Sequence, residues 1–165
     1  MKRWAVLFAL LALVGMMPTQ SSAQTLLLRQ PTVSERHIAF AYANNIWIVD
    51  RAGGDARRLT SFQGATSNPH LSPDGKLVAF TGQYVGNLDV YVVPVEGGEP
   101  TRLTWHPLPD EVVGWSPDGR RVVFASGRSS GPAGITKFWT VGVGGGAEEA
   151  LAIPRGSEGS YSPDG

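Results

Sequence analysis

One tetrapeptide, Ser-Pro-Asp-Gly, recurs along this chain at a nearly constant interval. It occupies residues 72–75, 116–119 and 162–165, so successive copies begin 44 and 46 residues apart. An internal repeat of this length indicates a fold made of one small unit used several times in succession. The repeat therefore limits the chain to a repeat architecture before any other motif is considered.

Each unit carries the same landmarks in the same order: a phenylalanine that closes an apolar run, the start of a second apolar run, a glycine pair and a leucine. They are Phe40, Ile46, Gly53-Gly54 and Leu59; Phe80, Val90, Gly97-Gly98 and Leu103; and Phe124, Phe138, Gly145-Gly146 and Leu151. Only the step from the phenylalanine to the second run varies, over 6, 10 and 14 residues. Length variation confined to one position marks a loop.

The apolar runs are short, rich in Val, Ile and aromatic residues, and bounded by Gly, Pro, Asp and Ser, which favours strands joined by tight turns. We predict four strands in each unit: one ending at the tetrapeptide, one ending near the phenylalanine, one before the glycine pair and one ending near the leucine. Four antiparallel strands in about 40–50 residues are typical of one blade of a β-propeller. The sequence therefore predicts an all-β fold, a β-propeller with four-stranded antiparallel blades.

The predicted blades divide the chain as follows: blade 1 at about 30–62, blade 2 at about 68–105, blade 3 at about 111–153, and the start of blade 4 at about 158. Propellers close with roughly four to eight blades. We therefore expect residues 24–165 to be an incomplete, truncated propeller domain that belongs to a longer polypeptide.

The amino terminus has the pattern of a secretory signal peptide. Lys2 and Arg3 precede an apolar run over residues 4–17, and Ser21-Ser22-Ala23 supplies the small residues of a cleavage site. We predict removal of residues 1–23 and an exported product, periplasmic or secreted. No later segment approaches the roughly 20 apolar residues of a membrane span, so no membrane association is expected after cleavage.

Composition excludes several classes of function. The chain has no cysteine, which removes disulfides and cysteine-based metal or redox sites. Without Lys2 and Arg3, 12 basic residues face 14 acidic ones, so we expect no nucleic-acid partner, because such binding relies on basic patches.

Ser116 and Asp118 resemble part of an active site, but the turn explains every residue of the tetrapeptide. Proline presets the backbone angle of the second turn position, and glycine supplies the left-handed conformation that closes a hairpin. The hydrolase nucleophile elbow is Gly-x-Ser-x-Gly between a strand and a helix, whereas Gly114 to Gly119 places the second glycine one residue late and leads into a strand. We predict a turn and assign no catalytic residue.

The remaining candidates also favour structural roles. The glycine-rich run at 142–147 fits a dinucleotide fingerprint, but the helix that a phosphate site needs is not predicted after it. His37, His70 and His106 lack metal-ligand spacing, and we predict no metal and no cofactor. The pairs Asp110-Glu111, Glu148-Glu149, Arg57-Arg58 and Arg120-Arg121 favour a solvated rim, with one arginine of each basic pair a candidate to line a funnel for peptide carboxylates.

Aromatic residues recur once per unit. Phe40, Phe80, Phe124, Trp115 and Tyr161 are expected to pack between neighbouring blades, which contact each other through their flat faces. Trp105 and Trp139 fit the periodic positions less cleanly and are candidates for rim contacts.

With the repeat aligned, residues 26–60, residues 72–128 and the final "YSPDG" resemble the Asp-Gly-turn propeller repeats of TolB-type proteins and, more closely, the amino-terminal propeller of bacterial tricorn-like serine proteases. That resemblance implies further blades, a PDZ-like domain and a serine peptidase domain, with the propeller channelling peptide or protein substrates to the active site of a homo-oligomer. None of the catalytic motifs of that family has a counterpart in these 165 residues.

Two alternatives remain open. One is a non-enzymatic periplasmic TolB-like propeller that serves as a scaffold for protein–protein interaction. The other is a propeller in front of a prolyl-oligopeptidase-like or amidohydrolase domain.

Overall fold

The computed structural model describes residues 27–61, 63–129 and 134–162. The predicted signal peptide at 1–23 and residues 163–165 of the third Ser-Pro-Asp-Gly copy lie outside these residues. No helix in the described ranges is long and apolar enough to cross a membrane.

The described residues form three antiparallel sheets of four strands each, and the strands of each sheet follow one another in chain order. Sheet I contains β1 (Arg29–Val33), β2 (His37–Tyr42), β3 (Asn45–Asp50) and β4 (Arg57–Arg58). Sheet II contains β5 (Thr66–Leu71), β6 (Leu77–Gly82), β7 (Asp89–Pro94) and β8 (Thr101–Arg102). Sheet III contains β9 (Asp110–Trp115), β10 (Arg121–Ser126), β11 (Lys137–Gly142) and β12 (Glu149–Ala150). The predicted all-β class and the four-stranded antiparallel blade are confirmed.

The first strand of each sheet lies on the inside of the assembly. Strands β1, β5 and β9 contact one another in succession, while β4, β8 and β12 form the outer edges. We call the end of the sheets with the Ser-Pro-Asp-Gly turns the turn end. The other, called the loop end, carries the loops of variable length and the connections from one sheet to the next, because consecutive antiparallel strands reverse direction.

The sheets pack face to face through two apolar clusters. The first joins sheets I and II and places Ala39 and Ala41 against Val78 and Phe80. The second joins sheets II and III and places Ala79 against Val122 and Phe124. Since neighbouring side chains of a strand point to opposite faces, sheets I and II present alanine to the sheet that follows, and sheets II and III present phenylalanine to the sheet before.

The expectation that aromatic residues pack between blades is confirmed for three positions. Phe80 and Phe124 have no exposed surface, and Trp115 lies in the second cluster, where its Nε1 donates to the carbonyl oxygen of His70 at 2.8 Å. Phe40 is buried but belongs to neither inter-sheet cluster, because it faces away from sheet II. Tyr161, which the sequence predicts to pack between blades, is 42% exposed, and the described residues form no fourth sheet for it to pack against.

The prediction that Trp139 lies outside the periodic positions is wrong. The central strands of the three sheets pair Phe40 with Trp47, Phe80 with Tyr91 and Phe124 with Trp139. The variable loop before the third strand hides this repeat when positions are counted from the tetrapeptide. Trp105 is 61% exposed, in agreement with a contact at the rim.

The leucine and threonine near the end of the first two units attach the short outer strand. Leu59 and Leu103 donate their backbone N–H to Ile46 and Val90 at 2.8 Å, and Thr60 and Thr104 accept the N–H of the same residues at 2.9 and 3.0 Å. Both threonines are buried. The third unit has Ala152 at this position, so its outer strand lacks the second hydrogen bond.

We expect Thr104→Val to loosen β7 and β8. The substitution keeps the shape of the side chain but leaves the buried N–H of Val90 without an acceptor, a loss of about 1–3 kcal/mol. Hydrogen–deuterium exchange over residues 89–95 measures the effect, with the exposed Thr101→Val as the matched control. Equal exchange in the two variants would contradict this role of the threonine.

Candidate functional site

The Ser-Pro-Asp-Gly segments at 72–75 and 116–119 are closed turns. Ser116 Oγ donates to Asp118 Oδ1 at 2.6 Å and accepts the N–H of Arg121 at 3.0 Å, and Ser72 makes the same pair of contacts at 2.7 and 2.9 Å. Gly119 has a φ of 68°, the left-handed conformation that this turn position requires. Both serine hydroxyls are therefore held by their own turns, as predicted.

The aspartates of these turns are held in the ionised form. The hydroxyl of Ser116 and then the N–H of Arg120 lower the pKa of Asp118, and Ser72 and Lys76 do the same for Asp74. A serine nucleophile needs a neighbouring general base such as histidine. Here the partner of each serine is instead a carboxylate that already accepts a backbone N–H.

The second glycine-rich candidate is also a turn. Gly142 ends β11, and the N–H of Gly145 donates to its carbonyl oxygen at 2.8 Å, so the chain reverses into β12. A phosphate site of the dinucleotide type would need a helix to begin here. The predicted turn at the paired glycines is confirmed.

The three histidines lie on separate elements. His37 begins β2, His70 lies in β5, and His106 lies in the loop before β9, where its Nδ1 accepts the N–H of Leu108 at 3.1 Å. Burial lowers the pKa of His70, so this side chain is uncharged at neutral pH. Within the described ranges no group of three or more histidine, aspartate or glutamate residues is arranged to hold a metal ion.

Asp110 does not lie on a solvated rim, where the sequence predicts it. Its side chain is fully buried, and its Oδ2 lies 2.5 Å from Nη2 of Arg128, a residue that sequence reasoning did not select. Its neighbour Glu111 is exposed, as expected. Asp110 begins the inner strand β9, where adjacent residues alternate between the core and solvent.

Arg128 is the centre of a charged cluster at the loop end. Its guanidinium lies 4.9 Å from the ring centroid of Phe124 and 5.1 Å from that of Trp139, and its Nη1 lies 3.3 Å from Glu148. Tyr84 occupies the equivalent place in sheet II and packs edge-on against Phe80 and Tyr91. Both residues follow the repeat phenylalanine by four positions, and that spacing is the sequence signal for them.

A second buried ion pair lies beside this cluster. Arg102 Nη2 is 2.8 Å from Oδ2 of the fully buried Asp89, and Arg102 Nε donates to the carbonyl oxygen of Thr104 at 2.7 Å. Burial raises the pKa of Asp89, and the charge of Asp110 adds to the effect, while Arg102 opposes it. At the loop end of sheets II and III, Arg102 and Arg128 each have a fully buried aspartate as partner.

One arginine of each basic pair, Arg57 and Arg121, is directed toward the outer strands. Arg57 donates through Nη2 to the carbonyl oxygen of Val95, and Arg121 donates through Nε to Thr140 at 2.8 Å and pairs with Glu149 at 3.3 Å. These contacts lie toward the outer strands, so neither side chain faces the inner strands.

An apolar cavity of about 640 Å³ lies beside the inner strands. Its inner wall is formed by the turn ends of β1, β5 and β9, with Val33, Leu71 and Trp115, and its outer wall by Phe138 of sheet III. The segment after β12 closes one side, where Gly156 donates to the carbonyl oxygen of Thr136 at 3.0 Å and lies against the Phe138 ring. With His70 uncharged, the cavity suits neutral apolar groups.

Three consecutive four-stranded sheets, packed face to face with their first strands on the inside, define the chain as part of a β-propeller. The chain belongs to the family described as the tricorn protease N-terminal beta propeller domain, which matches residues 25–165.

Known proteins of similar sequence or structure include a tricorn protease homologue and two solved structures. Tricorn protease homolog 1 of Streptomyces coelicolor is 32% identical over 136 residues, which are 82% of this chain and 12% of that protein. The structure of TolB from Acinetobacter baumannii superimposes with a TM-score of 0.65 at 25% identity, over 85% of this chain and 36% of TolB. The tricorn protease structure gives a TM-score of 0.61 at 24% identity, over 72% and 12%. The chain therefore spans a small part of the length of its tricorn relative.

We expect Arg128→Ala to lower the free energy of unfolding of the propeller by about 3–5 kcal/mol, because it leaves the carboxylate of Asp110 buried without its partner. Urea unfolding followed by tryptophan fluorescence measures the loss, with the exposed Arg120→Ala as control. Adding Asp110→Asn to Arg128→Ala should recover part of the stability. Equal stability of the two single variants would contradict the proposed pairing.

Proposed function

We propose that this chain is the amino-terminal propeller of an exported tricorn-like serine peptidase, and that it receives peptides and guides them to a catalytic domain elsewhere in the polypeptide. The observation that carries the proposal is the family match over residues 25–165. No residue of the chain is assigned to bond cleavage, because both turn serines are engaged in their own turns.

The cavity supports a role in peptide binding. Val33, Leu71 and Trp115 offer apolar contacts, and the hydroxyl of Ser34 and the uncharged His70 add polar groups beside them. Concave apolar sites with a few polar groups are the usual form of binding pockets.

The partners follow from the same proposal. They are peptide or protein substrates, the remaining blades and the catalytic domain of the same polypeptide, and further copies in a homo-oligomer. Export rests on the sequence pattern of residues 1–23 and is checked by the mass of the mature protein, which should begin at Gln24.

A TolB-like scaffold for protein–protein interaction is the second candidate. It is favoured by the superposition on TolB, which covers more of this chain than the superposition on the tricorn protease. The scaffold predicts binding of a folded protein without hydrolysis of any peptide.

Hydrolysis of fluorogenic peptides by the full-length protein separates the two candidates. We expect cleavage that a serine-directed fluorophosphonate abolishes. Val33→Arg should raise KM for peptides of about ten residues several-fold, because it replaces an apolar contact at the cavity wall with a charged side chain that apolar peptide groups would have to desolvate. Leu27→Arg is the matched control, because Leu27 is 76% exposed and does not line the cavity. A full-length protein that cleaves no peptide would refute the peptidase proposal.

A further inference from the structure

We propose that the loop end of sheets II and III carries a preformed site for an uncharged, apolar stretch of an extended peptide, centred on Trp105. This inference rests on the proposed function and names a recognition surface for its substrates. The surface, called here the Trp105 patch, consists of Val85, Trp105 and Leu108.

All three side chains are exposed to solvent. Val85 is 68% exposed, Trp105 61% and Leu108 45%. They lie on two adjacent loops, since Asn87 of the loop before β7 donates through Nδ2 to the carbonyl oxygens of His106 and Leu108 at 2.6 and 3.3 Å. Exposed apolar side chains on adjacent loops can form an interaction site, and tryptophan is among the residues that contribute most binding energy at such sites.

The loop that carries Trp105 is held in place before any ligand binds. Besides the two hydrogen bonds from Asn87, the N–H of Leu108 donates to His106 Nδ1 at 3.1 Å, and Pro107 and Pro109 restrict the backbone. The guanidinium of Arg102 lies 5.7 Å from the Trp105 ring centroid and is itself anchored by Asp89. A rigid surface loses little conformational entropy on binding, which favours affinity.

The surroundings of the patch select an uncharged ligand. Residues 83–88 and 103–109 contain no aspartate, glutamate, lysine or arginine. The half-buried Arg102 beside Trp105 is paired with Asp89, and the buried side chain of Arg128 is paired with Asp110. A charged side chain of a ligand would lose its hydration here without gaining a partner, which is unfavourable.

The size of the patch favours a peptide over a folded partner. Three partly exposed side chains of this kind present on the order of 300 Å². A stable interface between folded proteins buries roughly 800 Å² on each partner, which a second copy of this chain would have to supply from elsewhere. A few residues of an extended peptide match the smaller area.

Fluorescence anisotropy on the full-length protein tests the inference with two labelled twelve-residue probes: one of alternating leucine, alanine and proline, and one with glutamate in place of leucine. We expect tight binding of the apolar probe only. Trp105→Ala should weaken it about ten-fold, as for a central interface tryptophan, and Leu108→Ser about three-fold. Leu27→Ser removes a leucine that is more exposed than Leu108 and does not belong to the patch, and it should leave the affinity unchanged within a factor of two.

The outcomes distinguish this inference from the proposed function. Equal affinity of the Trp105→Ala, Leu108→Ser and Leu27→Ser variants for the apolar probe, with unchanged circular dichroism, would overturn the patch, whether or not the protein cleaves peptides. Preference for the glutamate probe, or a change of oligomeric state on Trp105→Ala in sedimentation velocity, would also overturn it. Absence of peptide cleavage by the wild-type protein refutes the proposed function instead.

Discussion

The fold depends on the packing of a phenylalanine-bearing face of one sheet against the small-residue face of the sheet before it. Phe80 enters the space above Ala39 and Ala41, and Phe124 belongs to the same cluster as Ala79. Complete burial of such a phenylalanine contributes roughly 1.5–3 kcal/mol. Because each sheet uses one face toward each neighbour, its apolar side chains depend on the neighbouring sheets for burial, and the repeat of about 44 residues supplies the four strands of one such unit.

This packing also determines where function can lie. The faces of the sheets are used for stability, so the inner strands and the loops at the two ends remain for binding. At the loop end, the buried pairs of Arg102 with Asp89 and of Arg128 with Asp110 neutralise charge and stabilise the loops around Trp105. At the inner strands, the cavity presents apolar walls and an uncharged histidine. Both surfaces suit neutral segments of peptide chains.

Features that depend on local sequence could be predicted, and those that depend on distant side-chain pairing could not. The Ser-Pro-Asp-Gly turn is specified by four adjacent residues, and strand type follows from short apolar runs between such turns. Asp110 and Arg128 are 18 positions apart, and nothing in either local pattern shows that the two charges meet. The cavity could not be predicted either, because its wall includes the irregular segment after β12, which is distant in sequence from the inner strands. The periodic position of Trp139 was not recognised because the longer loop before β11 changes its sequence distance from the Ser-Pro-Asp-Gly turn. Within the sheet its position is regular, since it pairs with Phe124.

The central claim is that sheets I to III are consecutive blades that need further sheets to cover their outward faces. On sheet III, Phe138 is covered by the irregular segment that contains Gly156, and the cavity of about 640 Å³ remains beside it. Sedimentation velocity on purified residues 24–165 tests this claim directly. The account predicts association through the incompletely covered faces, and a species that remains monomeric as its concentration is raised would contradict it.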